Sequence, residues 1–317
     1  MKQSYPNPLI EQRADPWIYR HYDGMYYCTV TVPQYDRIEL RRAATIAALA
    51  EAQSAVVWRR HDSGPMSALI WAPEIHYLRG KWYIYFAAAH TEKAHPLHGT
   101  FQHRMYVLES DDPTGVWYEK GQLDSGMDSF CLDATAFEVD DRLYYVWAQK
   151  DPGIRGNSNI YIAEMETPWN LKSAPMLLSK PEFDWECSVI PVNEGPAALI
   201  HDGRVFLTYS ANATGAEYCV GLLTASLDAP LLDAASWAKF SEPVFCSNAD
   251  NCKFGPGHNS FTVAEDGETP LIVYHVRDTE QIAGDPLQNP DRHTCVQAFS
   301  FNESGVPVFG IPAKRNK

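Results

Sequence analysis

The sequence predicts an all-β protein, a five-bladed β-propeller that takes up residues 1–317 as one domain. Three observations lead there. A turn followed by an aromatic-rich, alternating run recurs five times. A short apolar run precedes each of these turns, and a third strand-like run follows each second one. Repetition at a near-constant period marks supersecondary units that bury their apolar faces against one another. Antiparallel units of three or four strands arrayed around an axis make a propeller.

In the first unit PWIYRHY leads to Asp23-Gly24, then to MYYCTVTV and RIELRRA. In the second, APEIHYL leads through Arg79-Gly80 to KWYIYFAAA and RMYVLES. The third runs ATAFEV, Asp141-Arg142, LYYVWAQ and NIYIAEM. The fourth runs PAALIH, Asp202-Gly203, RVFLTYSAN and YCVGLLT. The fifth runs NSFTVA, Asp266-Gly267, ETPLIVYHVRD and TCVQAFS. Three of the turns are Asp-Gly, a strong hairpin signal because both residues accept φ > 0. Turn positions 24, 80, 142, 203 and 267 lie 56, 62, 61 and 64 residues apart, so five units consume the chain. RAATIAALAEAQ, Arg42 to Gln53, has helix formers and no alternation. It reads as a short helix or irregular excursion after the third strand of the first blade.

Composition narrows the class of function. Hydrophobic residues at 45% and charged residues at 21% are a globular balance. A net charge of −14 repels phosphate backbones and anionic headgroups, so neither nucleic acid nor a membrane surface is an expected partner. A neutral or cationic ligand fits better. Aromatics reach 12%, which suits both packing on pleated faces and stacking on sugars. No 18-residue apolar run and no signal-peptide pattern is visible. Seven cysteines without a CxxC pair read as free thiols. Together these predict a cytoplasmic protein, or a secreted one if the N-terminus has been trimmed.

A propeller's innermost strands start near the central axis, so equivalent starting residues converge at one end of the channel. Nine positions before the five turn positions stand Asp15, Trp71, Asp133, Glu194 and His258. One Asp at a strand start is commonly a turn or cap residue. Three acids on one register are harder to explain that way, because clustered carboxylates raise one another's pKa. Ca²⁺ would need six or more oxygens, more than such a ring supplies. Two carboxyl groups flanking a bond are the equipment of glycoside hydrolysis, and a third can tune and orient the proton donor. A Trp beside them suits the apolar face of a sugar ring.

The pieces ADPWIYRHYDGMYY, WAPEIHYLRGKWYIYFAA, LDATAFEVDDRLYYVW, NEGPAALIHDGRVFLTYSAN and GPGHNSFTVAEDG resemble glycoside hydrolase family 43. That family comprises five-bladed propeller arabinanases, arabinofuranosidases and xylosidases. The resemblance implies an inverting enzyme in which Asp15 is the general base, Glu194 the general acid, and Asp133 the acid that tunes and orients the donor. It implies that Trp71 forms a wall of the sugar subsite and that Arg277, in YHVRD, reaches the sugar or the acids. It also implies that His258, in GPGHNS, stands by a hydrated Ca²⁺ or Na⁺ in the channel, with no cofactor for the chemistry. Glu74 and Arg13 read as structural. His90, His95, His98 and His103 lie in a polar loop between strands, lack metal-ligand spacing and read as loop or pocket-rim residues.

Within the family, the absence of residues for a C-terminal β-sandwich argues against the common β-xylosidase type. DRIELRRAATIAALAEAQSAVVW and PDRHTCVQAFSFNESGVPVFGIP look like the exo-acting α-L-arabinofuranosidase branch. The expectation is release of terminal arabinose from α-1,5-linked arabino-oligosaccharides. An endo-arabinanase or β-xylosidase is the alternative within the family. From other classes, a phosphorylase would need a basic phosphate pocket, and a carbohydrate-binding propeller would not need three acids.

Overall fold

The computed structural model describes residues 5–96 and 99–316. It is a five-bladed β-propeller. The first blade is β1 (Ala14–Arg20), β2 (Tyr26–Thr31), β3 (Arg37–Ala43) and β4 (Ala55–Arg59). The second is β5 (Ala68–Leu78), β6 (Lys81–Ala89), β7 (Arg104–Ser110) and β8 (Tyr118–Gln122). The third is β9 (Cys131–Val139), β10 (Arg142–Gln149) and β11 (Asn159–Thr167), with β12 (Asn170–Leu171) and β13 (Met176–Ser179) both pairing β11. After the single helical turn α1 (Asp184–Cys187), the fourth blade is β14 (Asn193–His201), β15 (Arg204–Ala211), β16 (Cys219–Ser226) and β17 (Trp237–Lys239). The fifth is β18 (Phe254–Val263), β19 (Pro270–Arg277) and β20 (His293–Ala298), followed by the small hairpin of β21 (Ser300–Phe301) and β22 (Pro307–Val308). The strands within each blade pair as antiparallel meanders, as the repeated hairpins require.

The inner strands β1, β5, β9, β14 and β18 pack side by side around the axis, and β18 returns to β1. Apolar residues on both faces of each blade fill the gaps. Ile18, Tyr26, Cys28 and Val30 of the first blade meet Leu271, Val273 and Val296 of the last. Polar contacts close the same seam: Arg20 donates to the carbonyls of Ala264 (2.7 Å) and Glu265 (3.0 Å), and Ser260 Oγ donates to that of Pro16 (2.8 Å). Along the outer edge of β20 the N-terminal segment takes a fourth strand's place. Ile10 bridges Thr294, and the Asn7 amide donates to the Val296 carbonyl (3.0 Å) while accepting from the Val296 N–H (2.9 Å). The chain thereby covers a strand edge that would otherwise be left open.

The 42–53 segment is mostly irregular. Its helical content is one 3₁₀ turn, Ala47–Leu49, too short to bury an amphipathic face. Arg41 holds it instead, donating to the carbonyls of Leu49, Ala50 and Ala52 at 3.0–3.1 Å.

Candidate active site

Each inner strand carries a β-bulge near its entry to the channel. The ladder skips residues after Ala14, after Trp71, at Asp133, after Glu194 and after Gly257. At these bulges Asp15 (φ 51°), Ala72 (φ 45°), Asp133 (φ 51°), Gly195 (φ 54°) and His258 (φ 42°) are left-handed. Such backbone costs a non-glycine residue on the order of 1–2 kcal/mol, and bulges of this kind re-aim side chains. The N–H groups removed from the ladder find side-chain acceptors. Asp15 N donates to His275 Nδ1 (3.2 Å), Ala72 N to Thr31 Oγ1 (2.7 Å), Gly195 N to Asp133 Oδ2 (3.1 Å) and His258 N to Ser210 Oγ (2.7 Å). Pro16, Pro73 and Pro196 follow three of the bulged positions, where no ladder N–H is required.

The five residues on the common register therefore meet. Asp15, Trp71, Asp133, Glu194 and His258 all line one cavity of about 310 Å³, at the small end for a small-molecule site. Other walls come from Phe101, Phe130, Leu132, Ile190 and Leu287, with Arg292 reaching in from the segment before β20. Trp71 is held flat against His103, ring centroids 3.9 Å apart at 24°, with Phe101 and Tyr35 edge-on.

The three acids have different surroundings. Asp15 Oδ1 lies 3.1 Å from His275 Nδ1, 3.4 Å from His258 Nδ1 and 3.5 Å from Arg292 Nη1. Burial alone would raise its pKa, but His258, Arg292 and His275 outweigh that and hold it well below the carboxylate range. Glu194 accepts from the Tyr218 hydroxyl (2.9 Å). Burial pushes it up to about 7; the Tyr218 hydrogen bond restrains the shift and the Asp15 charge adds to it. Asp133 is raised well above its ordinary value, first by burial and then by the charges of Glu194 and Asp15. The cluster thus pairs an ionised carboxylate with a protonated carboxyl near neutral pH, which is the division of labour that acid–base catalysis uses.

One expectation needs correction. Arg277 is buried behind the pocket wall: it donates to Asn289 Oδ1 (2.8 Å) and the Pro286 carbonyl (2.6 Å), bracing the loop that carries Leu287 and Arg292. The arginine at the acids is Arg292, inside the quoted PDRHTC but off the repeat register. His103 is the last residue of the loop before β7 and sits beneath the pocket: it is fully buried under Trp71, and its Nε2 bonds the Leu69 carbonyl (2.8 Å). His98 lies outside the described residues. The 42–53 segment is the irregular excursion that the sequence allowed, with one 3₁₀ turn. His275 and Tyr218 were not singled out by the sequence; both stand at second- and third-strand positions, where the register count does not look.

The metal expectation can be tested on the donors. Among the described residues no group of three or more His, Cys, Asp and Glu is arranged to hold a metal ion. His258 Nε2, however, is buried without a protein partner. One nitrogen falls far short of the six to eight oxygens of a direct Ca²⁺ site, but it suits a water of a hydrated ion.

Comparison with known proteins agrees with this geometry. The family model described as glycosyl hydrolases family 43 matches residues 5–307. The chain is 50% identical to an extracellular exo-α-(1→5)-L-arabinofuranosidase of Streptomyces avermitilis over 98% of its length and 64% of that protein's. It is 48% identical to α-L-arabinofuranosidase 43 of Humicola insolens, again over 98% of this chain and 64% of the relative. The chain thus spans just under two thirds of the length of these curated relatives. The crystal structure of an α-L-arabinofuranosidase from Lactobacillus brevis superposes with a TM-score of 0.97 at 57% identity, covering 99% of this chain and 98% of that one. By the family match and these relatives, over a propeller whose channel mouth gathers three buried acids, the chain belongs to glycosyl hydrolases family 43.

Proposed function

We propose that this chain is an inverting glycoside hydrolase that releases terminal L-arabinofuranose from α-1,5-linked arabino-oligosaccharides, its five blades acting as one catalytic domain. The observation that carries the reading is the contrast between two buried acids in one small pocket: Asp15 held ionised, Glu194 pushed up to about 7. The names of the relatives supply the sugar and the exo mode.

In this reading Glu194 gives its proton to the glycosidic oxygen while the bond to the anomeric carbon breaks. Asp15 takes a proton from a water, whose oxygen attacks the opposite face of that carbon. Positive charge developing on the sugar ring is favoured by the Asp15 carboxylate. Asp133 acts through the backbone: by accepting the Gly195 N–H it fixes the residue next to Glu194. Trp71 offers its ring to the apolar face of the sugar. Arg292 holds Asp15 in place, anchored on its other side by the Tyr35 hydroxyl, and Arg277 keeps the Arg292 loop seated.

His258 would hold a water of a hydrated Ca²⁺ or Na⁺ through Nε2, a positioning role without a chemical step. No cofactor enters this chemistry. Among the described residues lining the cavity Arg292 is the one Lys or Arg, and Asp15 engages it, which disfavours a phosphorylase. A binding-only propeller would have no use for a proton donor tuned toward neutrality. The relative from Streptomyces avermitilis is named extracellular, which sits with the secreted alternative rather than the cytoplasmic expectation.

Chromatography of products from α-1,5-arabinotriose and linear arabinan tests the proposal. Arabinose as the sole early product is expected, with Asp15→Ala nearly inactive. Early mixed oligomers from arabinan would contradict the exo assignment, and an active Asp15→Ala would contradict the base.

A further inference from the structure

Tyr218 occupies a socket that the sequence has been shaped to leave open. The residue stands just before β16 and is buried, with its ring parallel to that of His275, centroids 5.5 Å apart and planes within 4°. The ring lies over the GPG segment at the start of β18. A Cβ on Gly257 would fall 2.3 Å from Tyr218 Cε1 and 2.5 Å from its Cδ1, closer than any real contact. A Cβ on Gly255 would fall 2.1 Å from the Gly215 carbonyl oxygen, to which the Tyr218 N–H donates (3.3 Å). Two glycines of GPGHNS therefore exist to admit this ring and its loop. The only polar atom of the side chain is delivered to Glu194 Oε1 at 2.9 Å.

We propose that Tyr218 is a positioning residue for the general acid: it engages Oε1 so that the transferable proton resides on Oε2, turned toward the leaving oxygen. This rests on the reading of Glu194 as proton donor. A carboxyl group can rotate about its terminal bond through a broad, roughly two-fold well. A fixed phenol on one oxygen removes that freedom and leaves the other for the substrate. As the Oε2 proton moves to the glycosidic oxygen, Glu194 becomes a carboxylate. The Tyr218 hydrogen bond then strengthens, because bonds to ionised acceptors are about twice as strong as neutral ones. An interaction that grows along the reaction coordinate lowers the barrier rather than only binding substrate. The other charged or titratable groups around Glu194 serve different tasks: Asp15 and Asp133 share the pocket, His258 and His275 contact Asp15, and Arg292 is spent on Asp15 and Tyr35.

Tyr218→Phe keeps the ring that fills the socket and removes only the hydroxyl. Its signature is dependence on the leaving group. On α-1,5-arabinobiose, whose leaving alcohol needs a proton, kcat should fall about 10- to 100-fold with KM little changed. On an aryl arabinofuranoside with an acidic phenol, the loss should stay under about three-fold. Gly257→Ala, which displaces the ring, should show the same split between the two substrates. Equal losses on both substrates in the folded variants, or no loss on either, would overturn the proposal. Glu194→Gln is the control: if it lacks the same split, the general-acid reading fails rather than the role of Tyr218. A wild-type chain inactive on both substrates would remove the proposed function and this role with it.

Discussion

Replacing Glu194 with Gln should cost activity and return stability, and the second effect has a sign and a size. The carboxyl is buried and is pushed from 4.5 up to about 7. Its folded pKa lies above its unfolded one, so between those values the folded state binds more protons. Stability is therefore fully present below about pH 4.5 and is lost as pH rises toward 7. A shift of that size is worth about 3 kcal/mol at roughly 1.4 kcal/mol for each pH unit. For a chain of this length the unfolding entropy is roughly 0.7 kcal/mol/K, so the penalty is about 4–5 °C in Tm. Gln keeps the acceptor for Tyr218 and carries no charge at any pH. Calorimetric melts of wild type and Glu194→Gln at pH 5 and pH 8 read the difference. About a quarter of the penalty is already present at pH 5, so the wild type should lose about 3–4 °C more than the variant between the two pH values. Equal pH dependence in the two proteins, within a degree, would refute the claim that burial of this carboxyl is paid in stability.

Two further outcomes follow from the geometry. Gly195→Ala should lower kcat at least ten-fold and Tm by a few degrees, because Gly195 is left-handed and a Cβ there would sit 3.2 Å from the His258 ring; wild-type kinetics in that variant would show that the Asp133–Gly195 contact does not set the acid's position. Exhaustive chelation should shift the pH–rate profile upward on its basic limb, since removing a hydrated Ca²⁺ beside His258 raises the pKa of nearby carboxylates; an unchanged profile would remove Ca²⁺ from the site and leave only Na⁺, which chelators do not take.

What the sequence disclosed was whatever local chemistry repeats. Asp23-Gly24, Asp202-Gly203 and Asp266-Gly267 mark hairpins without reference to anything distant, and the alternation after them fixes which residues face the core. Counting back from all five turns brings out Asp15, Asp133 and Glu194, and the structure places them in one pocket because equal registers in a ring converge. The count cannot see residues that arrive by other routes. Arg292 comes from the segment between β19 and β20, and Tyr218 precedes a third strand; their approach to the acids depends on the packing of neighbouring blades. Arg277 carries the right chemistry on the right strand, yet its guanidinium turns outward to Asn289 and Pro286. The burial of His103 escapes the count for a related reason: the run between β6 and β7 is polar, but its last residue is drawn under Trp71. The helix formers of 42–53 were overridden by Arg41, which gathers three carbonyls that a helix would have bonded internally. The left-handed residues were not legible at Asp15, Asp133 and His258, since only Gly195 announces that freedom.

The central claim is that Asp15 activates water on the face opposite Glu194. Proton NMR during the first turnovers of α-1,5-arabinotriose tests it most directly. The account predicts that free arabinofuranose appears first as the β-anomer and equilibrates afterwards. Initial appearance of the α-anomer would mean a retained configuration and a covalent intermediate, and would contradict the roles given to both acids.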